Sequence, residues 1–384
     1  MSRIIPYGKQ EITEDDIAAV VKCLRSDYLT QGPVVTEFES AFAKFIGAKY
    51  AVAVNNATSA LHLSAMALNV TQGQKILCTP NTFVASSNCI LYCDGDVEFV
   101  DINPQTFCMD LDKLEEKLKA QKKGYYSGVV AVDFAGYPMD FERLRKLADQ
   151  YELWIIEDAC HAPGAKFKNQ NGHWSKSGDC AFADLAVFSF HPVKHIATGE
   201  GGMITTNSTK LYEKIKLLRT HGIVKNPQEL SSADGWWMEM KSLGMNYRMP
   251  DILCALGLSQ LSRIEKNLCR RKEIAARYDN LLTKDVAVPY RPETVDHAFH
   301  LYVIQTDKRK ELYEYLKSKG ILTQVHYIPI YKQPYYIEKY GPQSLVNTEN
   351  YYDRTLSLPM YHALTEADQL FVINQINQFY SEGL

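Results

Sequence analysis

Between residues 50 and 206 the chain alternates two kinds of hydrophobic pattern. Short, nearly unbroken apolar runs, YAVAV (50–54), KILCT (75–79), VEFVD (97–101), VVAVDF (129–134), LWIIED (153–158), LAVFSF (185–190) and GMITT (202–206), each have the length of a strand. The segments between them, among them TSALHLSAMALN (58–69), LDKLEEKLKA (111–120) and DFERLRKLADQY (140–151), repeat apolar residues at helical spacing. Strands without a polar face are buried on both sides, and the helices between them supply the cover. The pattern therefore predicts an α/β fold around a large, mixed but mostly parallel sheet.

Outside this region the pattern changes. Residues 12–26 form an amphipathic helix opened by a capping box of Thr13 and Asp16, and YLTQGPVV (28–35) reads as loop. A boundary is expected at GMNYRMPD (244–251), where Pro250 starts one long helix through residues 252–282. A strand at HLYVIQT (300–306), a helix at 309–320, a strand at ILTQVHYIPI (321–330) and a helix at 365–380 then suggest a smaller α+β unit. The division expected is 1–250 for a large cofactor-binding domain with an N-terminal arm, and 251–384 for a small C-terminal domain.

Composition excludes more than it assigns. A net charge of −3 spread over 384 residues gives no basic stripe for nucleic acid. No run of about 18 apolar residues occurs and the first residues lack a signal-peptide core, so a cytoplasmic protein without a membrane partner is expected. The nine cysteines form no C-x-x-C pair and point to buried free thiols rather than to a metal.

One lysine stands out. Lys194 lies between the apolar run LAVFSF and the glycine-bearing GEGG of residues 199–202. Burying a lysine lowers its pKa and leaves a nucleophilic amine, which Schiff-base chemistry requires. Upstream, LWIIEDACHA ends in Glu157 and Asp158 at the carboxyl end of a strand, where open α/β sheets bind ligands. VAVNNATSALHL passes from strand to helix through Asn55, Asn56, Ala57, Thr58 and Ser59, a helix amino terminus suited to a phosphate. Phe83 can lay its ring on a planar cofactor, Ser189 adds a hydroxyl near the lysine, and His161 can hydrogen-bond or stack on the same ring. Taken singly, each has a plain structural explanation: a core phenylalanine, a helix cap, a surface lysine. Together, on successive strand-to-helix connections, they meet the requirements of pyridoxal 5'-phosphate, bound covalently through Lys194 with Asp158 keeping its ring nitrogen protonated.

NNATSALHL, TPNTFVAS, EDACHAPGA, FSFHPVKHIATGEGGMITTN, RTHGI, LGMNYRMPDILCALGLSQL and QVHYIPI resemble, in this order and over nearly the whole chain, the pyridoxal-phosphate-dependent sugar-nucleotide aminotransferases of the DegT/DnrJ/EryC1 group. The resemblance implies a fold type I (aspartate aminotransferase-like) transferase and a homodimer with shared active sites. It makes Lys194 the Schiff-base lysine, Asp158 the pyridinium partner, Thr58, Ser59 and Ser189 phosphate contacts, and Asn246 a phosphate contact reaching across from the neighbouring subunit. Within the group, IPYG, YLTQGP, CHAPGA and ILTQVHYIPIY are most similar to members that aminate carbon 4 of a UDP-linked 2-acetamido-2,6-dideoxy-4-keto-L-arabino-hexose with L-glutamate as donor. Position by position, this makes Tyr7, Tyr28, Leu29, Thr30, Ala57, His326 and Tyr327 substrate-pocket candidates.

The residues by themselves say less about a nucleotide sugar. Arg219, His221 and Lys225 are placed to face a diphosphate, and Trp236 and Trp237 to offer an aromatic surface, against the alternative of a charged helix end followed by a loop. The insert at 168–182 leaves sugar choice open. Other nucleotide-linked 4-keto sugars are the competing substrates, and a cofactor-binding regulator without catalysis is the competing class.

Overall fold

The computed structural model describes residues 4–232 and 234–383. Its centre is a seven-stranded sheet whose strands are β1 (Tyr50–Val54), β2 (Lys75–Cys78), β3 (Asp96–Phe99), β4 (Gly128–Val132), β5 (Trp154–Asp158), β8 (Leu185–Ser189) and β9 (Gly202–Thr206), in the order β1-β9-β8-β5-β4-β2-β3. Every run predicted as a strand in this region is one. Five neighbouring strands, from β8 to β3, pair in parallel, while β9 pairs antiparallel with both β8 and β1. The residues at 168–182 fold with their flanks into a hairpin of β6 (Lys166–Lys168) and β7 (Trp174–Lys176), completed by the strand Val295–Asp296.

The capping box of Thr13 and Asp16 opens α1 (Glu14–Leu24). A second helix, α2 (Pro33–Ile46), is absent from the sequence reading although its signals are there: Pro33 at the first turn, Phe38, Phe42 and Ile46 on one face, and a left-handed Gly47 at the end. Helices α3 (Ala57–Ala67), α4 (Ala85–Leu91), α5 (Leu111–Lys119), α6 (Phe141–Tyr151) and α7 (Thr209–Arg219) cover the sheet.

The single long helix expected after Pro250 is two, α8 (Asp251–Ser262) and α9 (Ile264–Leu281), broken at Arg263. The Arg263 guanidinium bonds both oxygens of the fully buried Asp16, at 2.7 and 2.5 Å, and Ser259 and Gln260 bond the same carboxylate, so the break ties α8 to α1. Burial pushes the Asp16 carboxyl up, but hydrogen bonds from Arg263, Ser259 and the Thr13 amide outweigh it and hold it at about 2. Its stabilising share is complete above about pH 4 and is lost as the pH falls toward 2. Asp16→Ala is expected to lower the unfolding free energy by about 3 kcal/mol, because it strands a partly buried guanidinium. Urea unfolding checks this, and an unchanged midpoint would make the pair energetically neutral.

The expected domain division at 250 falls at the start of α8, but the hydrophobic clusters change further on. Cys254, Leu261, Ile264 and Leu268 pack with α2 and β8, whereas Ile274, Ala275 and Tyr278 pack with the strands Tyr302–Gln305 and Thr355–Leu358 and the terminal helix Glu366–Ser381. The expected strand at 321–330 does not form. Only Ile321 and Gln324 make isolated bridges, to Ile5 and Ser357, because from Gln324 to Ile328 five consecutive residues line a cavity instead of pairing with a neighbouring strand.

Candidate active site

The cavity, about 780 Å³, lies at the carboxyl ends of β4 and β5. Tyr7, Ala57, Thr58, Phe83, Asp158, His161, Ser189, Lys194, His326 and Tyr327 all line it, ten of the residues singled out in the sequence.

Its phosphate-like corner is the start of α3. The Asn56 side chain caps the helix by accepting the Ser59 amide at 2.8 Å, which leaves the Ala57 and Thr58 amides without an intrahelical acceptor. β9 passes so close that a Cβ on Gly202 would lie 2.6–2.8 Å from the backbone of Asn56 and Ala57. Only glycine fits there, and its smallness fixes the helix terminus against the sheet. Ser59 itself is buried, with its amide engaged, and does not face the cavity.

Asp158 ends β5 with its carboxylate held from two sides. Ser86 donates to one oxygen at 2.7 Å and the Cys160 amide to the other at 3.1 Å. Because the Ser86 proton is committed to the carboxylate, the Thr82 hydroxyl, 2.8 Å away, donates to Ser86. No guanidinium or ammonium hydrogen-bonds this buried carboxylate among the described residues. Thr82 and Ser86 were missed in the sequence, where their only signal is the small and hydroxyl-bearing residues on either side of Phe83.

Lys194 sits on the tight connection from β8 to β9, where its amide bonds the His191 carbonyl at 2.9 Å. Burial pushes its pKa down, with Cys160 and Asp158 pulling the other way. Its Nζ lies 3.4 Å from Nε2 of His300, a residue the sequence reading did not single out.

His161 belongs to the turn that follows β5. Its Nδ1 accepts the Ala135 amide at 3.2 Å, and burial holds the ring neutral. The ring proton is therefore on Nε2, which donates to the Tyr327 hydroxyl at 3.2 Å. That frees the phenolic proton to point into the cavity, and burial keeps the phenol protonated.

The remaining candidates lie elsewhere. Tyr28, Leu29, Thr30 and Asn246 are exposed and do not line this chain's cavity. Asp251 anchors the loop before α2, accepting the Gly32 and Val34 amides at 2.7 and 3.0 Å. Arg219, expected to face a diphosphate, is committed elsewhere: its guanidinium bonds Glu39 at 2.5 Å and the Ala53 carbonyl at 2.7 Å. Trp236 and Trp237 lie on an exposed loop.

These parts fit pyridoxal phosphate: an amine with a lowered pKa for its aldehyde, a buried carboxylate without a cation for its ring nitrogen, and an open helix terminus for its phosphate. Residues 10–377 match the DegT/DnrJ/EryC1/StrS aminotransferase family. The chain belongs to this family. Among its relatives, the UDP-4-amino-4,6-dideoxy-N-acetyl-beta-L-altrosamine transaminase of Campylobacter jejuni is 38% identical over 379 residues, 96% of each chain. The spore coat polysaccharide biosynthesis protein SpsC of Bacillus subtilis is 36% identical over 387 residues, 98% of this chain and 97% of that one. Helicobacter pylori PseC, an aminotransferase involved in the biosynthesis of pseudoaminic acid, superposes with a TM-score of 0.89 at 31% identity, covering 99% of this chain and 100% of its own. The fold is accordingly that of the fold type I pyridoxal-phosphate sugar aminotransferases, and the protein is an enzyme of that kind. No helix among the described residues is long and apolar enough to cross a membrane, and no cluster of potential metal ligands occurs among them.

Proposed function

We propose that this protein transfers an amino group from L-glutamate to carbon 4 of a UDP-linked 2-acetamido-2,6-dideoxy-4-keto-L-arabino-hexose, giving UDP-4-amino-4,6-dideoxy-N-acetyl-β-L-altrosamine, as a cytoplasmic homodimer. The observation that carries the chemistry is the convergence of Lys194, Asp158 and the α3 terminus on one cavity. The sugar rests on the similarity to the altrosamine transaminase and to PseC.

Bound pyridoxal phosphate supplies an electron sink for the carbanion formed at the amino-bearing carbon. The α3 amides with the Thr58 and Ser189 hydroxyls bind its phosphate, Asp158 holds a proton at its ring nitrogen, and Phe83 covers one face. Lys194 holds the cofactor covalently and, as a free amine, is the base within reach of the donor's α-proton. Tyr7, Ala57, His326 and Tyr327 form the wall that meets the sugar.

Charge supports the dimer. Lys194 is the one lysine at the cavity among the described residues, and no arginine lines it, although glutamate and a nucleoside diphosphate sugar bring several negative charges. A second copy supplies what one chain lacks. The outer face of α1 exposes Ile17, Val21 and Leu24, continued by Tyr28 and Leu29, an apolar stripe fit to be covered by that copy. Tyr28, Leu29, Thr30 and Asn246 then serve the neighbouring site. The near-equal identity to SpsC favours one second reading, the same transfer to another nucleotide-linked 4-keto sugar.

A single-turnover experiment separates the two. The enzyme is first charged with L-glutamate, and UDP-linked 4-keto sugars of L-arabino and D-xylo configuration are then added separately, following the return of the cofactor absorbance and the product mass. Return with the L-arabino sugar alone is expected. Return with the D-xylo sugar alone keeps the transfer and replaces the sugar.

A further inference from the structure

His300 is buried 3.4 Å from the Lys194 amine, and the backbone around it is unusually constrained. Phe299, the residue before it, has φ 51°, a left-handed conformation that a bulky side chain adopts only under constraint. Gly136 (φ 102°) passes so close that a Cβ there would meet the amides of Phe299 and His300 at 2.9 and 3.1 Å. From α9, the buried Arg271 guanidinium bonds the carbonyls of Phe299 at 2.9 Å and His300 at 3.3 Å. Strain retained in a segment held from two sides points to a side chain whose position matters.

The polarity of the His300–Lys194 contact follows from the far side of the ring. Nδ1 is buried and has no hydrogen-bond partner among the described residues. An ammonium on Lys194 would donate to Nε2 and force the ring proton onto Nδ1, leaving a buried N–H unpaired. An uncharged amine instead accepts from Nε2–H and leaves only a lone pair unpaired at Nδ1, the cheaper arrangement.

We propose that His300 is a positioning residue for Lys194: its Nε2–H donates to the lysine nitrogen and holds it at the cavity as the free amine. The proposal rests on the reading of Lys194 as the cofactor-bearing lysine, and gives that amine a defined resting place whenever it is not bonded to the cofactor. The other groups around the pair divide. Asp158 and Cys160 at the end of β5 oppose it by drawing a proton toward Lys194, but burial of the lysine outweighs both, and burial also holds His161, His195, His300 and His326 neutral. Arg271, the nearby guanidinium, is spent on backbone carbonyls.

The test uses the full-length protein stripped of cofactor. The rate at which trinitrobenzenesulfonate labels Lys194 is followed against pH by peptide mass spectrometry, in wild type, His300→Phe and His300→Gln. The labelling midpoint in wild type is expected below the ordinary lysine value of about 10.4. Removing the donor in His300→Phe is expected to raise it, slowing labelling at pH 7.5 about tenfold, the effect of one pH unit. His300→Gln keeps an N–H donor and is expected to follow wild type. Ring nitrogen shifts of 15N-labelled wild type give a second readout that needs no variant: a proton on Nε2 is expected, and one on Nδ1 overturns the proposal. So does a His300→Phe profile that superimposes on wild type. Borohydride reduction after adding pyridoxal phosphate tells this from a failure of the parent reading: cofactor mass on Lys194 retains that reading, and its attachment elsewhere removes it.

Discussion

Lys194→Ala is expected to reduce glutamate-dependent amino transfer on the order of 10⁴-fold or more, the combined loss of the proposed covalent anchor and positioned base. The structure gives reasons to expect so large an effect. Cys160 and the imidazoles of His161, His191, His300 and His326 also line the cavity, but burial keeps His161, His300 and His326 neutral, so these three are weak bases, His191 is exposed, and the Cys160 thiol is pushed up well above its ordinary value. No second amine lines the cavity among the described residues. The fold should tolerate the change, since the Lys194 amine makes a single 3.4 Å contact and its loop is held by backbone hydrogen bonds. Release of 2-oxoglutarate measures the loss, and mass spectrometry after borohydride reduction should show no cofactor attached. Turnover within tenfold of wild type would move the covalent role to another residue.

Much of this site was legible because its chemistry sits at strand ends, and the strands are the clearest feature of the chain. Seven apolar runs locate seven carboxyl or amino ends, and Asp158, Thr58 and Ser189 follow directly from them. What escaped the sequence is what depends on contacts between distant segments. His300 meets Lys194 across 106 positions, and Ser86 reaches Asp158 across 72, with nothing local to announce either. The break at Arg263 has the same origin: helical periodicity continues through it, and the draw of Asp16, 247 positions away, decides. Arg219 shows the converse error. Two residues before a histidine in a basic cluster it looks available to an anion, yet Glu39 on α2, itself bonded to the Ala53 amide, claims it. The strand expected at 321–330 failed for a related reason, since the cavity that Gln324 to Ile328 line is assembled from distant segments and leaves no strand beside most of this stretch.

Asp158→Asn separates the charge proposed to face the ring nitrogen from the shape that holds it. Asparagine keeps an oxygen for the Cys160 amide, and its amide nitrogen can face Ser86, whose hydroxyl need only turn to accept, so the framework survives while the negative charge is lost. Turnover is expected to fall on the order of 10³-fold, since a fixed charge at a water-poor site is worth several kcal/mol at the transition state. KM for either substrate should change little, and cofactor should still be trapped on Lys194. The control is the neighbouring residue. Successive strand positions point to opposite faces, and Glu157 accordingly accepts the Gly178 amide at 2.8 Å on the far side of the sheet. There burial, reinforced by Asp133, pushes its carboxyl well up, so that it stays protonated and neutral. Glu157→Gln replaces one neutral side chain by another of the same shape and is expected to leave turnover within about twofold. Steady-state kinetics on the two variants therefore asks which of two adjacent carboxyls serves the cofactor. A large loss in Glu157→Gln with little in Asp158→Asn would reverse the assignment that the alternation of β5 makes.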